Sequence, residues 1–153
     1  QQSPHAKQTR LAEAITLDDF VALIHVSINA TTHAWGVDIA AGGDAALQLA
    51  QDGLAVTWDS ARKRVEHVAG FGNGVQLLRV ERVNSEFTLV TQQGSFPMLS
   101  VGDGTDGPIS FDLIGGLTES PGCRVLGVAI LPGHPAAEDV ARVEVGMAGY
   151  QLS

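Results

Sequence analysis

After His33 the chain breaks into short runs of alternating apolar and polar residues separated by turn formers, a pattern that commits most of its length to antiparallel strands. The spacing predicts strands over residues 34–39, 46–50, 54–58, 64–68, 75–83, 86–91, 109–114, 124–131 and 142–145, with a short last one at 150–152. Ala41-Gly42-Gly43-Asp44 forms the first turn, and Asp52-Gly53 is a favoured two-residue hairpin turn. In the run 125–131, Leu126, Val128 and Ile130 fall on one face and Val125, Ala129 and Leu131 on the other. A strand apolar on both faces has to be covered on both sides.

Upstream of His33 the pattern changes. From Pro4 to Thr32 there is no glycine, and Leu17, Val21, Ile24 and Ile28 recur at helical spacing, with Leu11, Ala14 and Phe20 beside them. Lys7, Arg10, Glu13, Asp18 and Asp19 fill much of the other side. The reading is a long amphipathic helix over about 4–32, with Pro4 in its first turn. Thr16-Leu17-Asp18-Asp19 resembles a capping box at which that helix would restart. The expected fold class is therefore α+β, a long N-terminal helix packed on antiparallel β-sheets, in one domain over 1–153 without repeats or linkers.

Charge and composition exclude several functions. Nine Lys and Arg against 17 Asp and Glu leave a net charge of −8, a field that repels phosphate backbones, so no nucleic acid partner is expected. No apolar run approaches the roughly 20 residues that span a bilayer. The aromatic share is 5%, and Val, Ile and Leu dominate, which favours an aliphatic core over an aromatic binding platform. Cys123 is the one cysteine, read as a small core residue that cannot form an internal disulfide or a cysteine-based zinc site.

The chemical motifs are sparse. His5, His25, His33, His67 and His134 show no metal-ligand spacing, and His25 reads as a packed histidine on an apolar face. Gly70-Phe71-Gly72-Asn73-Gly74 precedes a strand instead of a helix, so it reads as an inter-strand loop and not a phosphate cradle. Asp103, Asp106 and Asp112 supply oxygen ligands that a calcium ion could use. Their spacing departs from the twelve-residue EF-hand loop, and a plain polar turn is the preferred reading. Asn29-Ala30-Thr31 fits a glycosylation sequon. Ser100, Ser110 and Ser120 lack a nucleophile elbow, and no carboxylate pair is placed for opposed roles. No catalytic residue and no cofactor is assigned, and the chain is expected not to be an enzyme.

Three segments carry a family likeness. Thr32-His33-Ala34-Trp35-Gly36-Val37-Asp38-Ile39 resembles a passage from helix into first strand, and Ile109-Ser110-Phe111-Asp112-Leu113-Ile114-Gly115-Gly116 a strand and glycine turn. Arg142-Val143-Glu144-Val145-Gly146-Met147-Ala148-Gly149-Tyr150-Gln151-Leu152 is similar to a closing apolar strand with a final short one. The order resembles the soluble domain of type IV pilin-like proteins, the H-type minor pseudopilins of type II secretion and the FimT-like minor pilins.

The resemblance implies a structural minor subunit of a type II secretion pseudopilus or a type IV pilus, acting by filament assembly. Its partners would be other pseudopilin or pilin subunits. Because the chain starts at Gln1-Gln2, an apolar half-helix preceding it would hold it in the bacterial inner membrane, with the globular domain in the periplasm or in a filament. The Leu17, Val21, Ile24 and Ile28 stripe would be core, and the loops 94–108 and 132–138 candidate contacts. The alternative is an exported β-rich binding module that recognises a carbohydrate, a peptide or a cation through its glycine-rich loops. That alternative demands a concave pocket with converging polar groups.

Overall fold

A computed structural model describes residues 9–29, 36–68, 71–115 and 122–150. They form twelve strands and one helix. A seven-stranded antiparallel sheet has the order β1 (Thr9–Leu17), β11 (Ile109–Ile114), β3 (Gly36–Ala41), β4 (Ala46–Ala50), β5 (Gly53–Trp58), β6 (Lys63–Val68), β10 (Leu99–Ser100). Against it lies a five-stranded sheet ordered β12 (Cys123–Pro132), β2 (Phe20–Ile28), β7 (Gly74–Val83), β8 (Glu86–Thr91), β9 (Gly94–Pro97). Helix α1 (Ala137–Tyr150) follows β12.

The long N-terminal helix expected from the sequence does not exist. Residues 9–17 and 20–28 are two strands, and Asp18-Asp19 turns the chain between the sheets. In β2, Phe20, Ala22, Ile24, Val26 and Ile28 face the inter-sheet core, while Val21 and Leu23 belong to a second cluster on the opposite face. Nearly every position from 20 to 28 is apolar, so a helical stripe can be picked out of it although the true period is two. The β-branched Val21, Ile24, Val26 and Ile28 then favour the pleated state. Burying Phe20 and Ile24 completely contributes about 1.5–3 kcal/mol each, more than any capping interaction near Thr16 could return.

The one helix of the described residues lies where a strand was expected at 142–145 and reaches the first residue of the one expected at 150–152, of which 151 and 152 lie outside the described residues. Glu138 and Asp139 occupy its first turn, where carboxylates interact favourably with the helix dipole. Val140, Val143 and Met147 form its apolar stripe and pack on Val21, Leu23, Ala129 and Leu131. This is the second cover that the two-faced run in β12 demanded. A salt bridge between Arg79 of β7 and Glu144, 3.2 Å, fixes the helix laterally. Ahead of the helix, His134 Nε2 bonds to Asp19 Oδ2, and Gly133 N donates to Asp19 O at 2.8 Å. The pilin-like layout, with its cover at the N-terminus, is thus inverted.

From β4 to β8 the expected strands fall close to the observed ones. The first hairpin turn sits one residue earlier than expected, since Ala50 pairs with Gly53. Asn84 and Ser85 both have positive φ, 52° and 67°, as a type I′ turn between β7 and β8 requires.

Candidate functional site

Between the sheets the inward positions are aliphatic at mid-length and change character toward both ends. At one end, Arg82 of β7 is buried against Trp58 of β5 and Phe87 of β8, its guanidinium carbon 5.4 Å and 5.3 Å from their ring centroids. Its Nη1 donates to Asp18 O at 2.8 Å, and its Nη2 to Thr105 O and Gly107 O at 2.6 Å and 2.7 Å. Lys63 Nζ donates to the carbonyl and the Oδ1 of Asp106, and Trp58 Nε1 donates to the same carbonyl at 3.3 Å. Desolvation lowers the Arg82 pKa below its ordinary value, opposed by Asp19, Asp18 and Asp106, while Lys63 holds the Asp106 carboxyl below the usual range. These groups tie residues 103–107 across the mouth and plug that end of the sandwich.

A cleft of about 430 Å³ remains above the plug, between Gly43, Asp44, Asp59, Lys63, Pro108 and Ser110. Its lysine is already bonded to Asp106.

At the other end the core stays open. Following the inward positions outward, Val65 gives way to His67 on β6, Leu78 to Gln76 on β7, and Leu89 to Thr91 on β8. Phe96 on β9 pairs with Leu89 in the ladder and so shares its face. The rings of His67 and Phe96 lie 5.2 Å apart, tilted by 30°. Phe71 packs half-buried against the core, and Gln92 and Gln93 project from the β8–β9 turn, where Gln93 N donates to Thr91 Oγ1 at 3.1 Å. Gln76 Nε2 donates to Gly72 O, fixing the loop that carries Phe71. Together these residues line a cavity of about 260 Å³.

Chemically this cavity combines aromatic faces with amide and hydroxyl groups that both donate and accept hydrogen bonds. Among the described residues its lining contains no Asp, Glu, Lys or Arg. An apolar wall with a few converging polar groups is the usual makeup of a small-ligand site.

Apart from His67 and Phe71, the residues named in the sequence lie elsewhere. Asp103 pairs with Arg62 at 3.1 Å, Asp106 with Lys63 at 3.1 Å and Asp112 with Arg10 at 3.2 Å, so the three weak calcium candidates serve three separate cations. Among the described residues no three His, Cys, Asp or Glu gather to hold a metal. Ser110 Oγ lies 3.0 Å from Thr16 Oγ1, Ser100 is exposed on β10, and Ser120 lies outside the described residues. His25 is buried in β2. Asn29 is exposed at the end of β2, with Ala30 and Thr31 outside the described residues, as are His5, His33, Ala34, Trp35 and Gly70.

Of the loop 70–74, Phe71 to Asn73 carry an aromatic residue to the open end. Gln76, Thr91, Gln92, Gln93 and Phe96 were not singled out. For His67, Gln76 and Thr91 the signal was present as polar or half-polar residues at positions whose strand parity points inward.

No family model matches the chain. No curated protein matches it in sequence. Among solved structures it is similar to botulinum neurotoxin type C, studied for its interaction with two ganglioside molecules. The TM-score is 0.53 at 8% identity, over 93% of this chain and 46% of that one. It is similar to the carbohydrate binding module CBM66 from Bacillus subtilis, with a TM-score of 0.50 at 11% identity, over 85% of this chain and 84% of that one. Chicken galectin 2 matches with a TM-score of 0.48 at 12% identity, over 82% of this chain and 98% of that one.

At such identities the first two likenesses speak to the fold, a two-sheet β-sandwich, and overturn the pilin reading. A pilin domain requires an N-terminal helix lying on its sheet, and here that segment is two core strands. With it fall the pseudopilus or pilus role and the pilin partners. Among the described residues no helix is long and apolar enough to cross a membrane.

Proposed function

We propose that this chain is a carbohydrate-binding module, acting by recognition without turnover, and that the cavity between His67, Phe96, Phe71 and the three glutamines is its sugar site. The observation that carries the reading is the tilted His67–Phe96 pair, 5.2 Å between centroids, at the open end of the sandwich, with Gln76, Gln92, Gln93 and Thr91 around it. A sugar ring has an apolar face of C–H groups and an edge of hydroxyls. Aromatic surface serves the first, and amides, with two donors and an acceptor oxygen, serve the second.

Two solved structures that share the fold at a TM-score of 0.50 or above are, by name, a carbohydrate binding module and a toxin that interacts with gangliosides. Fold-level likeness of this kind supports the reading by association only, and the weight rests on the cavity.

The test is a glycan array probed with the chain and with Phe96→Ala. Phe96 is half-buried on the edge strand β9, so its truncation leaves the main core intact. Binding by the parent that falls at least about tenfold, or 1.4 kcal/mol, in the variant is the expected result. Undiminished binding by Phe96→Ala, with an unchanged melting curve, places the ligand elsewhere.

A further inference from the structure

The charge pattern around the open-end cavity narrows what it accepts. Among the described residues, every hydrogen-bonding side chain in its lining is an amide, a hydroxyl or an imidazole, and none carries a fixed charge. The basic residues on the strands that build it point elsewhere or are already neutralised. Arg64, on the outer face of β6, lies 2.9 Å from Glu66. Arg79, on the outer face of β7, lies 2.8 Å from Glu81 and 3.2 Å from Glu144. Lys63 and Arg82 belong to the plugged end, at the far ends of those strands. The chain as a whole carries −8.

A carboxylate or sulfate entering this cavity would shed water without gaining a cation, a loss of several kcal/mol for a buried ion, and would do so against a repelling field. A hydroxyl or acetamido group loses nothing comparable, because the amides replace both its donor and acceptor bonds. The volume, about 260 Å³, lies just below the range of roughly 300–1,000 Å³ that holds drug-sized ligands, and suits a single ring better than a stretch of polymer.

We infer that the cavity takes one uncharged sugar residue, a hexose or N-acetylhexosamine at a chain end, and rejects sialic acid, uronic acid and sulfated sugars. The inference rests on the carbohydrate reading of the same cavity. The experiment is titration calorimetry of the full chain with pairs of oligosaccharides that differ only in a terminal sialic acid, uronate or sulfate. The neutral member of each pair is expected to bind at least tenfold more tightly.

Gln93→Lys, an exposed position on the β8–β9 turn, is expected to narrow that ratio by raising affinity for the anionic members. Anionic sugars bound as tightly as their neutral partners would overturn the inference and leave the carbohydrate reading standing. A ratio unmoved by Gln93→Lys would overturn its electrostatic cause. If neither member of any pair binds, the carbohydrate reading itself fails, and the inference with it.

Discussion

The guanidinium of Arg82 lies over the ring of Trp58, 5.4 Å from its centroid, and both side chains are 2% exposed or less. Three backbone carbonyls, from residues 18, 105 and 107, accept hydrogen bonds from the guanidinium. A planar fork can reach several carbonyls at once while its face rests on an aromatic ring, which an ammonium cannot do.

Arg82→Lys is therefore expected to be nearly as damaging as Arg82→Met, each costing about 3 kcal/mol, because unpaired carbonyls stay buried in both. Urea denaturation of the two variants measures this. A lysine variant within about 0.5 kcal/mol of the parent would mean that charge alone holds the plug.

Asp19 links three parts of the chain. Its carboxylate accepts from Asn84 N at 3.0 Å and from His134 Nε2, and its carbonyl accepts from Gly133 N. The Asn84 bond, and then the His134 bond, hold its pKa below the ordinary 3.8. Because the folded value is depressed, the folded state binds the proton less readily than the unfolded chain. The resulting stabilisation is fully present above the unfolded value and is lost as pH falls through the folded one. Thermal melts between neutral pH and pH 3 are expected to show the parent losing an increment of stability that Asp19→Asn has already lost at neutral pH. Parallel curves for parent and variant would remove Asp19 as the cause.

Much of the sheet structure was legible in the sequence. From 46 to 91 each strand carries its own alternation and is closed by turn formers, so local pattern and fold agree. The two-faced apolar run in 125–131 demanded two covers, and the N-terminal helix was expected to supply one of them. Helix α1 supplies it instead, and the register shift between Val125 and Gly127 puts Val125 on the inter-sheet face with Val128 and Ile130. Residues 20–28 misled because a strand buried on both faces has few polar positions, here His25 and Ser27, to mark its period, and helix α1 was hidden by Val140, Val143, Val145 and Gly146, all poor helix formers. The stripe Val140, Val143, Met147 has helical spacing, and docking on β2 and β12 outweighs its low propensity. The open-end cavity assembles His67, Gln76, Thr91 and Phe96 from four strands, and their adjacency depends on a strand order that no local pattern encodes.

Cys123 is 1% exposed at the start of β12, opposite Ile28. Burial pushes its pKa from 9.0 up to about 12. Between these values the folded chain keeps a proton that the unfolded chain releases, so stability is expected to fall as pH rises above 9. At pH 8 the folded thiol therefore stays protonated, and thiolate is the reactive form. A disulfide reagent such as dithionitrobenzoate should leave the native thiol unmodified and titrate it stoichiometrically in denaturant. Rapid modification without denaturant would show that this end of β12 opens.

Gly53 tests whether the position of His67 matters to the cavity. It opens β5 opposite Val68, and a Cβ placed on it would lie 2.2 Å from the carbonyl oxygen of His67 and 3.2 Å from Val68 Cα. Backbone cannot yield like the tip of a long side chain, so Gly53→Ala has to push the end of β6 away from β5, carrying the His67 ring off Phe96. The expected cost is about 1–3 kcal/mol in stability. Glycan affinity should fall with it, measured at a temperature where the variant is still folded. Gly43→Ala is the control, because a Cβ there meets nothing within 4 Å. If Gly53→Ala lost stability but bound as well as the parent, recognition would have to rest on Phe71, Phe96 and the glutamines, with His67 reduced to packing.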